Sequence, residues 1–253
     1  MLNTTELYYF SPTGGTKKAG EIFCQGISEN VKIVDLGLRD RAAEKPESEL
    51  VVVAAPVFGG RIPAIVADKL GALDGNGKWA VTLAVYGNRA YEDALLELNN
   101  VIEQRGFKVV ASAALVAQHS IVEEVGKGRP DEQDRRSILG FAGKVLDKME
   151  KGAESPVKVP GNYPYKDGMS TPAAPVSLSS YKQCERCASV CPTGAILQKN
   201  GTFVTSSEKC ILCMACVKAC PEHVRILPPP LQETMEQKLG ALKSVRRENE
   251  YFL

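Results

Sequence analysis

Seven of the eight cysteines in this 253-residue chain fall in two groups: Cys184, Cys187 and Cys191-Pro192, then Cys210, Cys213, Cys216 and Cys220-Pro221. A C-x2-C-x2-C-x3-C-P run offers three closely spaced thiolates to one iron–sulfur cubane and a fourth, ahead of proline, to another. The second group has this run in full. The first has all of it except the leading cysteine, where Tyr181 stands. Zinc closes with four ligands on two knuckles and has no use for a third cysteine plus Cys-Pro in each group. Disulfides belong to oxidising compartments, and Met1–Phe10 has neither the basic start nor the long apolar core of a secretion signal. The thiols therefore point to a reducing, cytoplasmic setting.

The run resembles that of two-cluster bacterial ferredoxins. Crossing the fourth ligands, as the resemblance implies, assigns Cys210, Cys213, Cys216 and Cys191 to one complete [4Fe-4S] site. Cys184, Cys187 and Cys220 are left to a second cluster that lacks one cysteine. A phenol with an ordinary pKa near 10 replaces a thiolate poorly, so three outcomes stay open there: [3Fe-4S] on three thiolates, [4Fe-4S] with an oxygen ligand or solvent, or no cluster. Three thiols converging on the space of a missing cubane favour some cluster, the four-iron form ahead.

The elements around these cysteines are those of an ordinary globular chain. Hydrophobic residues make up 44% and charged residues 24%, and no apolar run is long enough to span a bilayer. A net charge of +1 gives no reason to expect nucleic acid. Residues 1–150 hold 18 basic and 21 acidic side chains and residues 151–253 hold 13 and 9, so the two parts carry opposite, complementary charge.

Strand patterns at Glu6–Phe10, Val31–Leu36, Leu50–Ala55, Trp79–Tyr86 and Phe107–Ala117 alternate with helical patterns, the last from about Asp131 to Glu150. Such alternation predicts a parallel sheet covered on both faces, with ligands beyond the carboxyl ends of the strands. Three loops there can do chemistry. Ser11-Pro12-Thr13-Gly14-Gly15-Thr16 carries three hydroxyls and two glycines at a helix start, a place for a phosphate. Pro56-Val57-Phe58-Gly59-Gly60-Arg61 and Tyr86-Gly87-Asn88-Arg89-Ala90-Tyr91 follow the third and fourth strands. After the fifth comes His119, a weak candidate for proton donation. Cys24, at an apolar spacing on the first helix, reads as a buried hydrophobe.

With these motifs, residues 1–150 resemble a short-chain flavodoxin with sheet order 2-1-3-4-5. The resemblance implies FMN, with its phosphate on Ser11, Thr13, Gly14, Gly15 and Thr16. Pro56, Val57, Phe58, Gly59, Gly60 and Arg61 would form one wall of the flavin, and Tyr86, Gly87, Asn88, Arg89 and Tyr91 the other. Flavodoxins usually surround the ring with acidic residues. Arg61 and Arg89 depart from this, and positive charge there would stabilise the anionic reduced flavin.

Residues 151–175 read as a Pro/Gly-rich linker, 176–230 as a small α+β bacterial-ferredoxin domain, and 231–253 as a C-terminal helix with apolar Leu231, Met235, Leu239 and Leu242. The whole resembles the flavodoxin–ferredoxin fusions of anaerobes. It implies an electron-transfer protein passing electrons between 4Fe-4S clusters and FMN, with a redox protein such as ferredoxin as donor or acceptor. The alternatives are an FMN-dependent reductase of a small acceptor, a quinone or nitro compound, and a non-catalytic redox sensor.

Overall fold

The computed structural model describes residues 1–39, 45–152, 156–169, 172–178, 184–199 and 202–253. β1 (Leu2–Tyr9), β2 (Ser28–Asp35), β3 (Leu50–Pro56), β4 (Trp79–Tyr86) and β5 (Lys108–Val116) are parallel, in the order β2-β1-β3-β4-β5. β3 reads LVVVAAP and is buried at every residue, as a central strand covered on both faces must be. The intervening helices are α1 (Gly15–Gln25), α2 (Ala64–Leu70), α3 (Ala94–Gln104) and α4 (Glu132–Glu150). α1 and α4 pack on one face, with Phe23 against Phe141 at 5.7 Å, and α2 and α3 on the other. The sheet is thus the doubly wound flavodoxin order expected from the alternation.

β1 starts four residues earlier than its apolar pattern suggests, because Thr4-Thr5-Glu6 reads as polar. Glu6 is nevertheless fully buried in the sheet, where its carboxylate faces Lys32 at 3.2 Å and accepts the Glu47 N–H at 3.0 Å.

The cysteine-rich part is built from β6 (Val176–Ser177), α5 (Arg186–Ser189), β7 (Ile196–Lys199), β8 (Thr202–Thr205), α6 (Ala215–Lys218) and β9 (Arg225–Ile226). β6 pairs antiparallel with β9, and β7 with β8. The two cysteine groups repeat one backbone device. Glu185 and Met214, each ahead of a one-turn helix, have φ of 61° and 63°, and Gly194 and His223, each three residues after the Cys of Cys-Pro, have φ of 63° and 53°. Paired left-handed turns curl the chain and aim successive N–H groups inward, a concavity suited to anionic sulfur.

α7 (Pro229–Leu239) lies by its apolar side on the loop after β5, where Leu239 and Met235 pack with Val122, Val125 and Ile121. β10 (Glu250–Phe252) then adds to the sheet, antiparallel to β5. This strand, unforeseen in the sequence because three residues show no alternation, covers the open edge of β5. Residues 156–169 lie along the sheet domain rather than forming a free coil: Val157 joins the core, and Asp93 accepts N–H groups from Asn162 and Lys166, both at 2.8 Å. Among the described residues no helix is long and apolar enough to cross a membrane.

Candidate functional site

Cys191, Cys210, Cys213 and Cys216 line one small cavity, with Ala195, Ile196 and Ile211 completing its walls. These are the four thiols that the ferredoxin resemblance assigns to the complete site. The Ala195 N–H donates to Cys191 Sγ at 3.2 Å, and Arg225 Nη2 lies 3.8 Å from Cys216 Sγ. The Cys213 thiol is pushed up to about 12, by burial first, with the Ala215 N–H opposing and the neighbouring thiols adding to the rise. Cys210 and Cys216 are also raised, burial again the largest cause. Holding four thiolates around one small cavity needs positive charge among them, which iron supplies. The donor set fits a cubane. Among the described residues no three His, Cys, Asp or Glu side chains close on a single metal ion.

The second set is less enclosed. Cys184 is exposed, whereas Cys187 and Cys220 are buried. Burial alone would raise the Cys220 thiol, but N–H groups of Val224, Arg225, Glu222 and His223 outweigh it and leave it lowered. Tyr181 lies outside the described residues. All eight cysteines are free thiols, and Cys24 is a wholly buried hydrophobe on α1 whose pKa burial pushes up to about 12.

At the carboxyl ends of the strands a cavity of about 190 Å³ is walled by Thr13, Gly15 and Thr16, by Pro56–Gly60, and by Tyr86, Gly87 and Arg89. A neighbouring cavity of about 470 Å³ shares Thr13, Gly15 and His119 and adds Gly14 and Lys18. Gly14 has φ of 96°, and a Cβ on Gly15 would lie 3.0 Å from that of Ala117, so the loop needs both glycines. The N–H groups of Thr13, Gly15 and Thr16 take no protein partner among the described residues. Free donors at the start of α1 fit a phosphate. Ser11 serves the helix itself, its Oγ accepting the Lys17 N–H at 2.9 Å.

Four residues named from the sequence are turned to other tasks. Arg61 grips Glu97 with two bonds of 2.7 Å and lies over the Tyr165 ring at 4.6 Å. Arg89 reaches the cavity wall but pairs with Glu92 at 2.8 Å. Both guanidinium groups that depart from the acidic surroundings of flavodoxins are thus matched by carboxylates. Asn88 is fully buried and clamps the C-terminal tail, donating to the Val245 carbonyl at 2.7 Å and accepting the Arg247 N–H at 3.1 Å. Tyr91 packs ring to ring on Tyr86 at 5.4 Å and donates to Glu250 at 2.8 Å. Tyr86 is only 4% exposed, so both rings belong to the core beneath the cavity, whereas Phe58, half-buried, stands at its wall.

His119 Nδ1 accepts the N–H groups of Ile121 and Val122, both at 3.1 Å, which fixes the proton of the neutral ring on Nε2. Burial first, and Arg89 second, lower its pKa to about 4. The ring is a fixed neutral donor beside both cavities.

Met169, Leu212, Cys213, Met235 and Leu239 complete the walls of the smaller cavity. No pattern in the sequence points to that role: Cys213 reads there as an iron ligand, and Met235 and Leu239 as the apolar face of a helix. Leu212 has φ of 52° and packs with Met214, Leu227 and Ile121, docking the cysteine loop onto the sheet domain.

Residues 182–224 match the 4Fe-4S dicluster domain family. The thiosulfate reductase electron transfer subunit PhsB of Salmonella typhi is 49% identical over 53 residues, 20% of this chain and 28% of that protein. The electron transport protein HydN of Escherichia coli K12 is 50% identical over 42 residues, 16% of this chain and 24% of that one. The chain thus spans only about a quarter of the length of these curated relatives. A Streptococcus pneumonia TIGR4 flavodoxin superposes on 57% of this chain and 99% of its own, at 18% identity and a TM-score of 0.45. The chain thus joins a sheet domain of flavodoxin-like strand order to a segment similar to the 4Fe-4S dicluster domain family.

Proposed function

We propose that this chain is an electron-transfer flavo-iron–sulfur protein that passes electrons between 4Fe-4S clusters and FMN. One observation carries the reading: Leu212 and Cys213 wall the same cavity as Thr13, Gly59, Gly60 and Gly87. A residue of the complete cysteine set therefore borders the place where the sheet's loops would hold a flavin. Bound clusters pass electrons singly, and FMN takes one or two, so their union connects one-electron partners to a two-electron step.

The chain's own residues divide the work. Thr13, Gly15 and Thr16 offer N–H and hydroxyl groups to a terminal phosphate at the start of α1. Phe58, Gly59, Gly60 and Gly87 wall the ring, and His119 presents its Nε2 proton to the cavity. Cys191, Cys210, Cys213 and Cys216 hold one [4Fe-4S] cluster, and Cys184, Cys187 and Cys220 a second, [4Fe-4S] or [3Fe-4S]. Leu212, Met169, Met235 and Leu239 add an apolar covering to part of the cavity wall. That covering supports electron transfer over reduction of a small acceptor, which needs an open face above the ring. The names of the two curated relatives, an electron transfer subunit and an electron transport protein, support the same reading, and a redox protein such as ferredoxin suits it as partner. Eight free thiols suit a reducing cytoplasm.

The test is anaerobic purification with assay of FMN and iron per chain, followed by exposure to reduced ferredoxin, NADH or NADPH. The reading expects one FMN, bound iron, and bleaching of both flavin and cluster absorbance by a single donor. FAD in place of FMN, or a flavin that bleaches while the clusters stay oxidised under every donor, would overturn it.

A further inference from the structure

The structure holds one buried cation that no carboxylate among the described residues neutralises. Arg225, on β9, is 1% exposed and heads the largest fully buried side chains. Its guanidinium donates to Ser177 Oγ at 2.9 Å, to Thr205 Oγ1 at 2.7 Å and to the Pro175 carbonyl at 3.0 Å, all uncharged acceptors. Its buried Nε has no hydrogen-bond partner among the described residues. The buried guanidinium of Arg129 is treated differently, being matched to Asp134, and the half-buried Arg61 is matched to Glu97. A buried charge without a counter-charge is strongly disfavoured, so one has to be supplied.

The group nearest to supplying it is sulfur. Nη2 of Arg225 lies 3.8 Å from Cys216 Sγ, on the wall of the four-thiol cavity. Four thiolates outweigh the positive charge of an iron–sulfur core, so the site is anionic when oxidised and more so after each added electron. We propose that Arg225 is the built-in counter-charge of the cluster held by Cys191, Cys210, Cys213 and Cys216, and that it raises the reduction potential of this cluster, the one beside the flavin cavity. The inference rests on the iron–sulfur reading above. Net charge and hydrogen bonds to sulfur are the levers that set such potentials, and a fixed guanidinium works through both. The side chain of Arg225 is placed against Cys216, so its charge bears on the set of thiols that includes Cys213 at the flavin cavity. A higher potential there would favour electron residence on the cluster beside the flavin cavity over the site of Cys184, Cys187 and Cys220.

Arg225→Met, Arg225→Gln and Arg225→Lys are reconstituted anaerobically and titrated with redox dyes, the cluster followed by EPR and iron counted per chain. Removing the charge in the Met or Gln variant shifts the reduced-to-oxidised ratio at fixed potential at least about tenfold toward oxidised, a fall of ~59 mV for a one-electron couple. Arg225→Lys restores most of the shift. Where Met and Gln fail to retain the cluster while Lys keeps it, the dependence on charge is also established. An unchanged midpoint in a Met or Gln variant with full iron content overturns the proposal, as does loss of the cluster in all three variants, Lys included. Absence of any four-iron signal from the unsubstituted protein refutes the iron–sulfur reading itself, a distinct result.

Discussion

Lowering the pH tests His119, because the structure fixes both its tautomer and the sign of its titration. Nδ1 is occupied by two backbone N–H groups, so protonation has to break this arrangement, and burial further disfavours the cation. The pKa is lowered from 6.5 to about 4, so between these values the unfolded chain binds a proton that the folded chain refuses. Stability from this residue is intact above pH 6.5 and is lost as pH falls toward 4. From pH 7 to pH 5 the loss is about 2 kcal/mol at 1.36 kcal/mol per unit, less whatever the half-buried ring recovers from solvent. The measurement is urea unfolding of the protein and of His119→Gln at both pH values, taken as a difference so that other titrating groups cancel. The unsubstituted protein should lose more stability than the variant over this interval. Since the chain has two histidines, nitrogen NMR of the protein and of His223→Gln assigns the resonances directly. A His119 that titrates near 6.5, or stability profiles that run parallel, would refute the reasoning.

Thr13→Asp places a carboxylate where the free N–H groups of the first loop gather. FMN affinity, read by fluorescence titration, should fall at least about tenfold, ~1.4 kcal/mol, with the thermal midpoint of the flavin-free protein little changed. Cys213→Ala should remove about four iron atoms per chain, whereas Cys24→Ala should leave the iron content untouched. Tyr181→Cys completes the first cysteine run and should raise iron retention in air. The same iron and spectrum in this variant and the unsubstituted protein, with a single cluster in each, would show the second site to be empty by construction.

Side chains whose partners lie close in sequence, or whose chemistry is demanding, were legible before folding was considered. The nearly all-Val/Ala run Leu50–Ala55 reads as a strand buried on both faces, and the ferredoxin-like cysteine run names Cys191, Cys210, Cys213 and Cys216, four thiols that the fold brings around one cavity. The glycines of the first loop were legible too, since a free N–H cradle requires them. Residues whose role is set by distant chain were not. Asn88 and Tyr91 sit in a loop of flavin-binding appearance, yet the C-terminal tail, more than 150 residues away, claims both side chains. Arg61 looked like a charge for the ring until Glu97, one turn into α3, matched it. Arg225 follows no motif. Its meaning comes from the lack of a carboxylate around it among the described residues, which is a property of the packed molecule. Leu212 likewise gains its place at the cavity only because left-handed turns push the cysteine loop onto the sheet domain.

The central claim is that electrons pass within one chain, across the wall formed by Leu212 and Cys213. Anaerobic protein loaded with both cofactors is given, by a light pulse through a photoreductant, less than one electron per chain, and the flavin and cluster absorbances are followed over at least a tenfold range of protein concentration. The account predicts a phase in which cluster and flavin signals change in opposite directions, with a first-order rate independent of concentration. A rate that rises in proportion to concentration, or clusters that stay reduced beside an oxidised flavin, would contradict it.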